Sequence, residues 1–232
     1  MTKFFKNLYR LILLNTPFYI IVRFIKNFLP NYKTKRKSLK IENEIYKNFL
    51  SFNKNEKWFC NNLYFLRNNL KNLEGITNIL EIGSYEGRSA IFFLEQFSNS
   101  EITCVDTWSG SDEHSNKNFL EIEKNFDRNL SFYSKRLKKF KTDLNNFFIA
   151  NKQKFDLIYI DGDHSCEQVE IDINKSWEIL KNNGYLILDD YLWWYYEDLK
   201  KNPAYPINKF IIKNLSEFKN LVIWKQIIIQ KK

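Results

Sequence analysis

The chain has 232 residues, 44% apolar and 17% aromatic, which is enough to bury a full core and too apolar for a disordered chain. Its formal charge of +9 lies in the first 40 residues, which hold ten Lys or Arg and no Asp or Glu. The remainder carries 26 basic and 27 acidic side chains, a net of −1, which excludes a basic surface built to grip a nucleic-acid backbone. Cys60, Cys104 and Cys166 show neither a disulfide framework nor a metal-ligand spacing, and so fit a reducing cytosol.

Residues 3–29 contain two apolar runs split at Asn15-Thr16-Pro17. In the first, Lys3, Lys6, Asn7 and Arg10 recur at helical spacing on one face. In the second, Thr16 and Pro17 form a helix start, and Arg23, Lys26 and Asn27 make a narrow polar stripe. The uncharged stretch from Leu11 to Val22 is shorter than the roughly 20 residues that a bilayer span needs. No small-residue cleavage site follows, which argues against a secretory signal. Two readings stand level: a basic amphipathic helix on an anionic membrane surface, giving peripheral contact through residues 1–29, or an arm packed on the domain or on a partner subunit. The expected organisation is therefore an arm and basic linker over 1–40, then one domain over 41–232. That domain has a helical lead-in over 41–72, where Trp58, Phe59, Leu63, Leu66 and Leu70 face the core, and a strand-and-helix part over 76–232.

From residue 76 strands and helices alternate. Strands are expected at Ile76–Ile82, Glu101–Val105, a weak one from Phe140, Phe155–Ile160 and Tyr185–Leu188, with a closing hairpin of Leu221–Trp224 and Gln226–Ile229. Helices are expected at Arg88–Phe97, Phe119–Leu137, Ser165–Leu180 and Ile207–Phe218, the third opened by a Ser165/Gln168 capping box and closed by Asn182-Asn183-Gly184. The fold class this implies is α/β, a Rossmann-like doubly wound and mostly parallel sheet with a C-terminal antiparallel hairpin, preceded by the helical arm.

In such sheets ligands bind beyond the carboxyl ends of the strands. The first strand and turn read Asn78-Ile-Leu-Glu-Ile-Gly-Ser-Tyr-Glu-Gly-Arg-Ser-Ala90, with Glu81-x-Gly83-x-x-x-Gly87 in place of the G-x-G-x-x-G of a dinucleotide site. Glu81, Ser84, Tyr85 and Glu86 put acids and hydroxyls where a pyrophosphate needs cations or bare N–H groups. A cationic, amino-bearing ligand such as S-adenosylmethionine (SAM) fits better. Asp106 ends the second strand 23 residues past Gly83 and suits a ribose hydroxyl pair. Asp143 follows the weak third strand and reads either as a contact for an adenine amino group or as plain surface loop. Asp161, Asp189 and Asp190, with Asp163 nearby, close the fourth and fifth strands; converging carboxylates repel unless a cation such as Mg²⁺ joins them. His164 is placed to take a proton from a substrate hydroxyl, while His114, in the loop after strand two, is the weaker of the two histidines.

Together, Ile79-Leu-Glu-Ile-Gly-Ser-Tyr-Glu-Gly-Arg-Ser89, Cys104-Val-Asp-Thr-Trp-Ser-Gly110, Tyr159-Ile-Asp-Gly-Asp-His-Ser165 and Asp189-Asp190-Tyr191 resemble the class I SAM-dependent methyltransferases. The narrower resemblance, over roughly 55–232, is to methyltransferase family 24. It implies that Glu81, Gly83 and Gly87 line the methionine part of SAM, that Asp106 binds its ribose and Asp143 sits near its adenine. It also implies that Asp161, Asp189 and Asp190 match the metal positions of the Mg²⁺-dependent O-methyltransferases. Where those enzymes carry a lysine base, this chain has His164. The loop Asp161-Gly162-Asp163-His164 lacks the proline and stacking aromatic expected of an enzyme acting on nucleic-acid bases. The expected acceptor is a glycan or other small-molecule hydroxyl, flanked by Trp108, Tyr191, Trp193, Trp194, Tyr195 and Tyr196. The expected location is the cytoplasm, at the inner face of the membrane if the arm docks there, with a homo-oligomer left open. Two rivals are a nicotinamide-dependent oxidoreductase on the same fold and a non-catalytic membrane-associated protein that keeps the fold.

Overall fold

A computed structural model of the chain describes residues 3–31, 34–49, 51–53, 59–110 and 117–232, so Trp58 and His114 lie outside the described residues. The chain divides into two compact units, 31–152 and 1–30 with 153–232.

In the 31–152 unit, helices α3 (Lys35–Tyr46) and α4 (Leu63–Leu70) precede the strands β1 (Asn78–Ile82), β2 (Glu101–Asp106) and β3 (Leu137–Lys141). The strands run parallel in the order β3-β2-β1, with Glu81 opposite Cys104 and Asp106 opposite Lys141. Ile79, Leu80, Glu81 and Ile82 are all fully buried, so the first strand is covered on both faces rather than alternating, as a central parallel strand is. Helix α5 (Arg88–Gln96) follows β1 and buries Ala90 through Leu94 without a break. Helices α6 (Phe119–Leu130) and α7 (Leu144–Ala150) flank β3. Three expectations change here. The basic segment placed in a linker already forms α3 from Lys35. Ser131–Arg136 is a tighter 3-10 segment rather than more of α6. The Thr142-Asp143-Leu144 loop opens α7, because Asp143 Oδ1 accepts the Asn146 amide at 3.0 Å and caps it.

In the other unit, β4 (Phe155–Ile160), β5 (Leu180–Leu188), β6 (Phe218–Ile223) and β7 (Ile227–Lys231) stand in the order β4-β5-β7-β6. The β4–β5 pair is parallel, and β7 is antiparallel to both of its neighbours, so the closing hairpin forms as expected. It turns without glycine, through a Trp224 amide bond to the Gln226 carbonyl at 2.9 Å. Helix α8 (Cys166–Ile179) buries Val169, Ile173 and Trp177 on one face, and Ser165 Oγ accepts the Gln168 amide at 3.4 Å as the expected cap, while the Ser165 amide goes to Asp163 Oδ1 in place of Gln168. The Asn182-Asn183-Gly184 signal sits inside β5 rather than ending α8. Asn183 takes φ +61° beside a register shift against β4, so the turn residues serve as a bulge. Helix α9 (Ala204–Asn214) packs on α8.

The arm belongs to this second unit. It forms α1 (Lys3–Leu13) and α2 (Phe18–Asn31), broken at Asn15 with φ +53°. Leu11, Ile20 and Phe24 are buried, Phe24 stacks on Trp224 at 5.4 Å, and Asn27 Nδ2 donates to the Ile223 carbonyl at 3.0 Å. Thr16 Oγ1 accepts from Asn208 Nδ2 at 2.9 Å. Among the described residues no helix is long and apolar enough to cross a membrane.

Asp172 of α8 has no exposed surface; Gln168 donates to its Oδ1 at 2.7 Å, while Oδ2 accepts no hydrogen bond among the described residues. Burial pushes its carboxyl up to about 7, with Asp163 adding to the rise and Gln168 opposing it. The folded state therefore holds this proton more tightly than the unfolded chain, and stability falls as pH rises from about 4 to 7. Asp172→Asn is expected to raise stability by roughly 2–4 kcal/mol at pH 8 and to give no gain at pH 4, read from denaturant midpoints at the two pH values.

Candidate active site

Both compact units carry candidate residues at the carboxyl ends of their strands. In the 31–152 unit, β1 delivers Glu81 with no exposed surface, and the facing Cys104 thiol donates to its Oε2 at 3.3 Å. Burial, and then Glu81, holds the Cys104 thiol well above its usual range, so it stays a neutral donor. Gly83 turns the chain, its amide bonded to the Val105 carbonyl at 3.0 Å, and Gly87 at φ +83° begins α5. A β-carbon on Gly87 would lie 2.3 Å from Leu130 Cδ2, so this glycine makes room for α6 as well as for the turn. Ser84 is buried, and the Tyr85 hydroxyl accepts from Lys117 Nζ at 3.1 Å.

Asp106 organises this loop. Its Oδ2 accepts the Ser84 and Tyr85 amides, each at 2.9 Å, and its Oδ1 accepts the Trp108 amide at 2.7 Å. A carboxylate offers about four acceptor positions, so three amide donors leave room for a ribose hydroxyl. Tyr85 and Trp108 both sit at φ +48°, a conformation that side-chain-bearing residues adopt at a cost when the surroundings fix it. Trp108 is buried edge-on against Phe126 and donates Nε1 to the Tyr85 carbonyl at 2.9 Å. It is thus a brace for the glycine loop rather than an open aromatic flank. Asp143 is exposed, and the Asn146 backbone amide holds its carboxyl below the usual range.

In the other unit the β4–β5 register sets Ile160 beside Leu188, and the Asp189 amide bonds to the Ile160 carbonyl at 3.0 Å. That pairing brings Asp161 and the Asp189-Asp190 step together. His164 Nε2 lies 3.0 Å from Asp190 Oδ2 and 3.5 Å from Asp161 Oδ1. Donor atoms of Asp161, His164 and Asp190 all fall within 4.8 Å of one another, a mixed oxygen and nitrogen set that suits a hard divalent ion. Asp190 adopts φ +52°, a left-handed backbone that a side-chain-bearing residue holds at a cost. Asp189, another of the expected metal positions, lies outside this set: Gln226 Nε2 donates to its Oδ2 at 2.9 Å, and the Tyr159 hydroxyl donates to the same oxygen.

The Tyr159 oxygen also lies 3.1 Å from Asp161 Oδ2, so its single proton is shared between the two carboxylates. Burial, then Asp161 and Asp189, keep this phenol well above its ordinary value, so it remains a proton donor. Burial raises the Asp189 carboxyl strongly, with Asp161 and Asp190 adding repulsion, and burial raises Asp161, which the His164 hydrogen bond partly offsets. Lys225 is pushed down by burial and by Lys3, with Asp189 opposing. Tyr159 and Gln226 were not anticipated. Tyr159 had a legible signal, since it stands two residues before Asp161 and so on the same strand face; Gln226 had none.

Of the other aromatics, Tyr191 is fully buried with its hydroxyl on Asn208 at 2.8 Å, which makes it core. Trp193 packs over His164 at 4.9 Å and stacks on the exposed Tyr195 at 5.1 Å, with Tyr196 edge-on beside them. Trp194 donates Nε1 to Asn7 Oδ1 at 3.1 Å and lies under the Arg10 guanidinium at 5.4 Å.

This fold, with a glycine turn braced by a strand-end carboxylate and acids closing the later strands, is the one shared by class I SAM-dependent methyltransferases. Residues 80–191 match a family model described as a methyltransferase domain. Among curated proteins none matches the sequence. Solved structures share the fold at low identity. An O-methyltransferase from Bacillus cereus, in complex with SAH, is 16% identical with a TM-score of 0.51, covering 86% of this chain and 90% of its own. A Staphylococcus aureus protein assigned as a caffeoyl-CoA O-methyltransferase is 17% identical with a TM-score of 0.50, covering 89% and 98%. The MycE methyltransferase of mycinamycin biosynthesis, in complex with Mg, SAH and mycinamycin VI, is 15% identical with a TM-score of 0.53; the match covers 81% of this chain and 53% of that one.

Proposed function

We propose that this protein transfers the methyl group of SAM to a hydroxyl of a glycan or other small molecule, with a divalent ion such as Mg²⁺ held by its acidic cluster. The observation that carries this reading is the convergence of Asp161, His164 and Asp190 within 4.8 Å beside an accessible aromatic surface. SAM supplies an electrophilic methyl on a sulfonium, so the work left to the chain is positioning. Asp106 accepts the ribose hydroxyls, the Glu81–Gly87 turn lies along the methionine part, and Asp143 sits toward the adenine. A divalent ion supplies Lewis acidity that lowers the pKa of the acceptor hydroxyl. Asp161 and Asp190 are its anionic oxygen donors, and Asp189 stands behind them, fixed by Tyr159 and Gln226. His164 takes the hydroxyl proton and shares it with Asp190, its neighbour at 3.0 Å. Trp193 and Tyr195 offer stacked faces to a sugar ring or a flat acceptor.

Calorimetry on the full chain tests the cofactor. SAM and S-adenosylhomocysteine are expected to bind in the micromolar-to-millimolar range usual for enzyme ligands, on the order of 1 μM–1 mM. NADH is expected to leave tryptophan fluorescence unquenched. Absence of heat with either adenosyl ligand at the top of that range overturns the methyltransferase reading and leaves the non-catalytic one.

A further inference from the structure

We propose that the outward faces of α1 and α2 form a docking surface for an anionic lipid bilayer. The sequence sets a polar face against an apolar one in α1, and the structure turns part of the polar face inward. Asn7 is buried beneath Trp194, and Arg10 packs over the same indole. The apolar side is left in solvent: Phe5, Tyr9, Ile12 and Leu13 are 55, 57, 54 and 53% exposed, and on α2 Phe18 and Ile25 are 80 and 44% exposed. Positions 5, 9 and 12 recur at helical spacing, so they form one stripe rather than scattered residues.

The inward faces already have their partners, since Leu11, Ile20 and Phe24 are buried to within 1% exposure. The outward stripe therefore is not a core awaiting its own domain. Its flanks name the occupant. By helical spacing the exposed Lys6 borders the α1 stripe and the exposed Lys26 borders the Phe18/Ile25 face, and residues 1–40 contain no carboxylate. Apolar side chains framed by cations match a headgroup layer of negative charge over acyl chains. A two-fold interface with a second copy would set those cations against themselves, because such an interface meets its own patch. The inward contacts also give docking a consequence. Asn7 and Arg10 hold Trp194, which adjoins Trp193 and its contact with His164, so a bilayer-bound arm is tied directly to the loop on which an acceptor would sit. This surface does not depend on the methyltransferase reading.

Flotation of the full-length protein with phosphatidylcholine vesicles, made with and without phosphatidylglycerol, tests it. The protein is expected to float with the anionic vesicles, to stay behind with the neutral ones, and to lose retention as salt rises. Phe5→Ser with Phe18→Ser is expected to cut partitioning at least about tenfold. Its melting temperature should not change, since both rings already face solvent. Lys6→Glu with Lys26→Glu gives an independent variant with the same expected loss. Failure to float with anionic vesicles overturns the proposal, as does equal recovery of the serine variant. Equal recovery on neutral vesicles overturns the anionic assignment. A dimer by light scattering that the serine variant dissolves, without flotation, assigns the face to a second copy and overturns it too.

Discussion

Asp161→Asn is expected to abolish divalent-ion binding while making the ion-free protein more stable. The substitution keeps the shape that accepts the Tyr159 hydroxyl and removes one of two facing anions, Asp161 and Asp190, that meet at His164. Losing a charged ligand should lower Mn²⁺ affinity by at least about 100-fold, more than the 10–100-fold typical of losing a group behind the ligands. Removing a carboxyl that burial and Asp190 hold above its usual range should raise the melting temperature near pH 8. The sign follows from linkage: a carboxyl whose folded pKa is raised costs stability as pH climbs past its unfolded value, and asparagine has no proton to lose. A residue serving only the fold would lose both properties together. Calorimetry with MnCl₂ and thermal melts on the same samples separate the cases; unchanged Mn²⁺ uptake refutes the metal role. His164→Gln should keep Mn²⁺ binding and lose methyl transfer, and loss of both would make His164 a metal ligand instead.

The second large effect is expected from Gly87→Ala. The new methyl meets Leu130 Cδ2 at 2.3 Å and Phe126 Cδ2 at 3.1 Å, and the backbone is held at φ +83°. Left-handed backbone costs a side-chain-bearing residue roughly 1–2 kcal/mol, and overpacking adds roughly 1–3. Together they should lower the melting temperature by about 5–15 °C at this chain length. SAM affinity should fall at least about tenfold, because a shift in the turn moves the amides that Asp106 gathers. Gly75→Ala is the matched control: it shares a positive φ of +75° but has nothing within 4 Å of the added carbon, so only the backbone cost remains. If both variants bind SAM alike, the turn at Gly87 does not shape the cofactor site.

Much of this protein was legible in its residues because the signals were local. A buried strand needs a short, mostly apolar run, and Ile79–Ile82 and Phe155–Ile160 supply it, each with one acid inside. A capping box needs two residues three apart, and Ser165 with Gln168 supplied α8. The carboxylates at strand ends followed from the same counting, since a strand that stops at Ile160 must present Asp161 next. Where the reading failed, a local signal had two uses. Asn182-Asn183-Gly184 permits left-handed backbone, which serves a helix end and a β5 bulge equally well. Asp143 after the weak third strand reads as plain loop, and it caps α7.

The sequence by itself determined the class of fold, the glycine turn with its acids, and the concentration of positive charge in the first 40 residues. Each is a property of neighbouring positions. Only the tertiary structure decided that Asp189 is taken by Tyr159 and Gln226 while His164 joins Asp161 and Asp190. It alone decided that Trp108 and Tyr191 are braces and not walls, and that the arm turns Asn7 inward and Phe5 outward. Those outcomes depend on which buried donors and acceptors lie within reach after packing, and residues 37 apart, such as Asp189 and Gln226, carry no mark of one another along the chain.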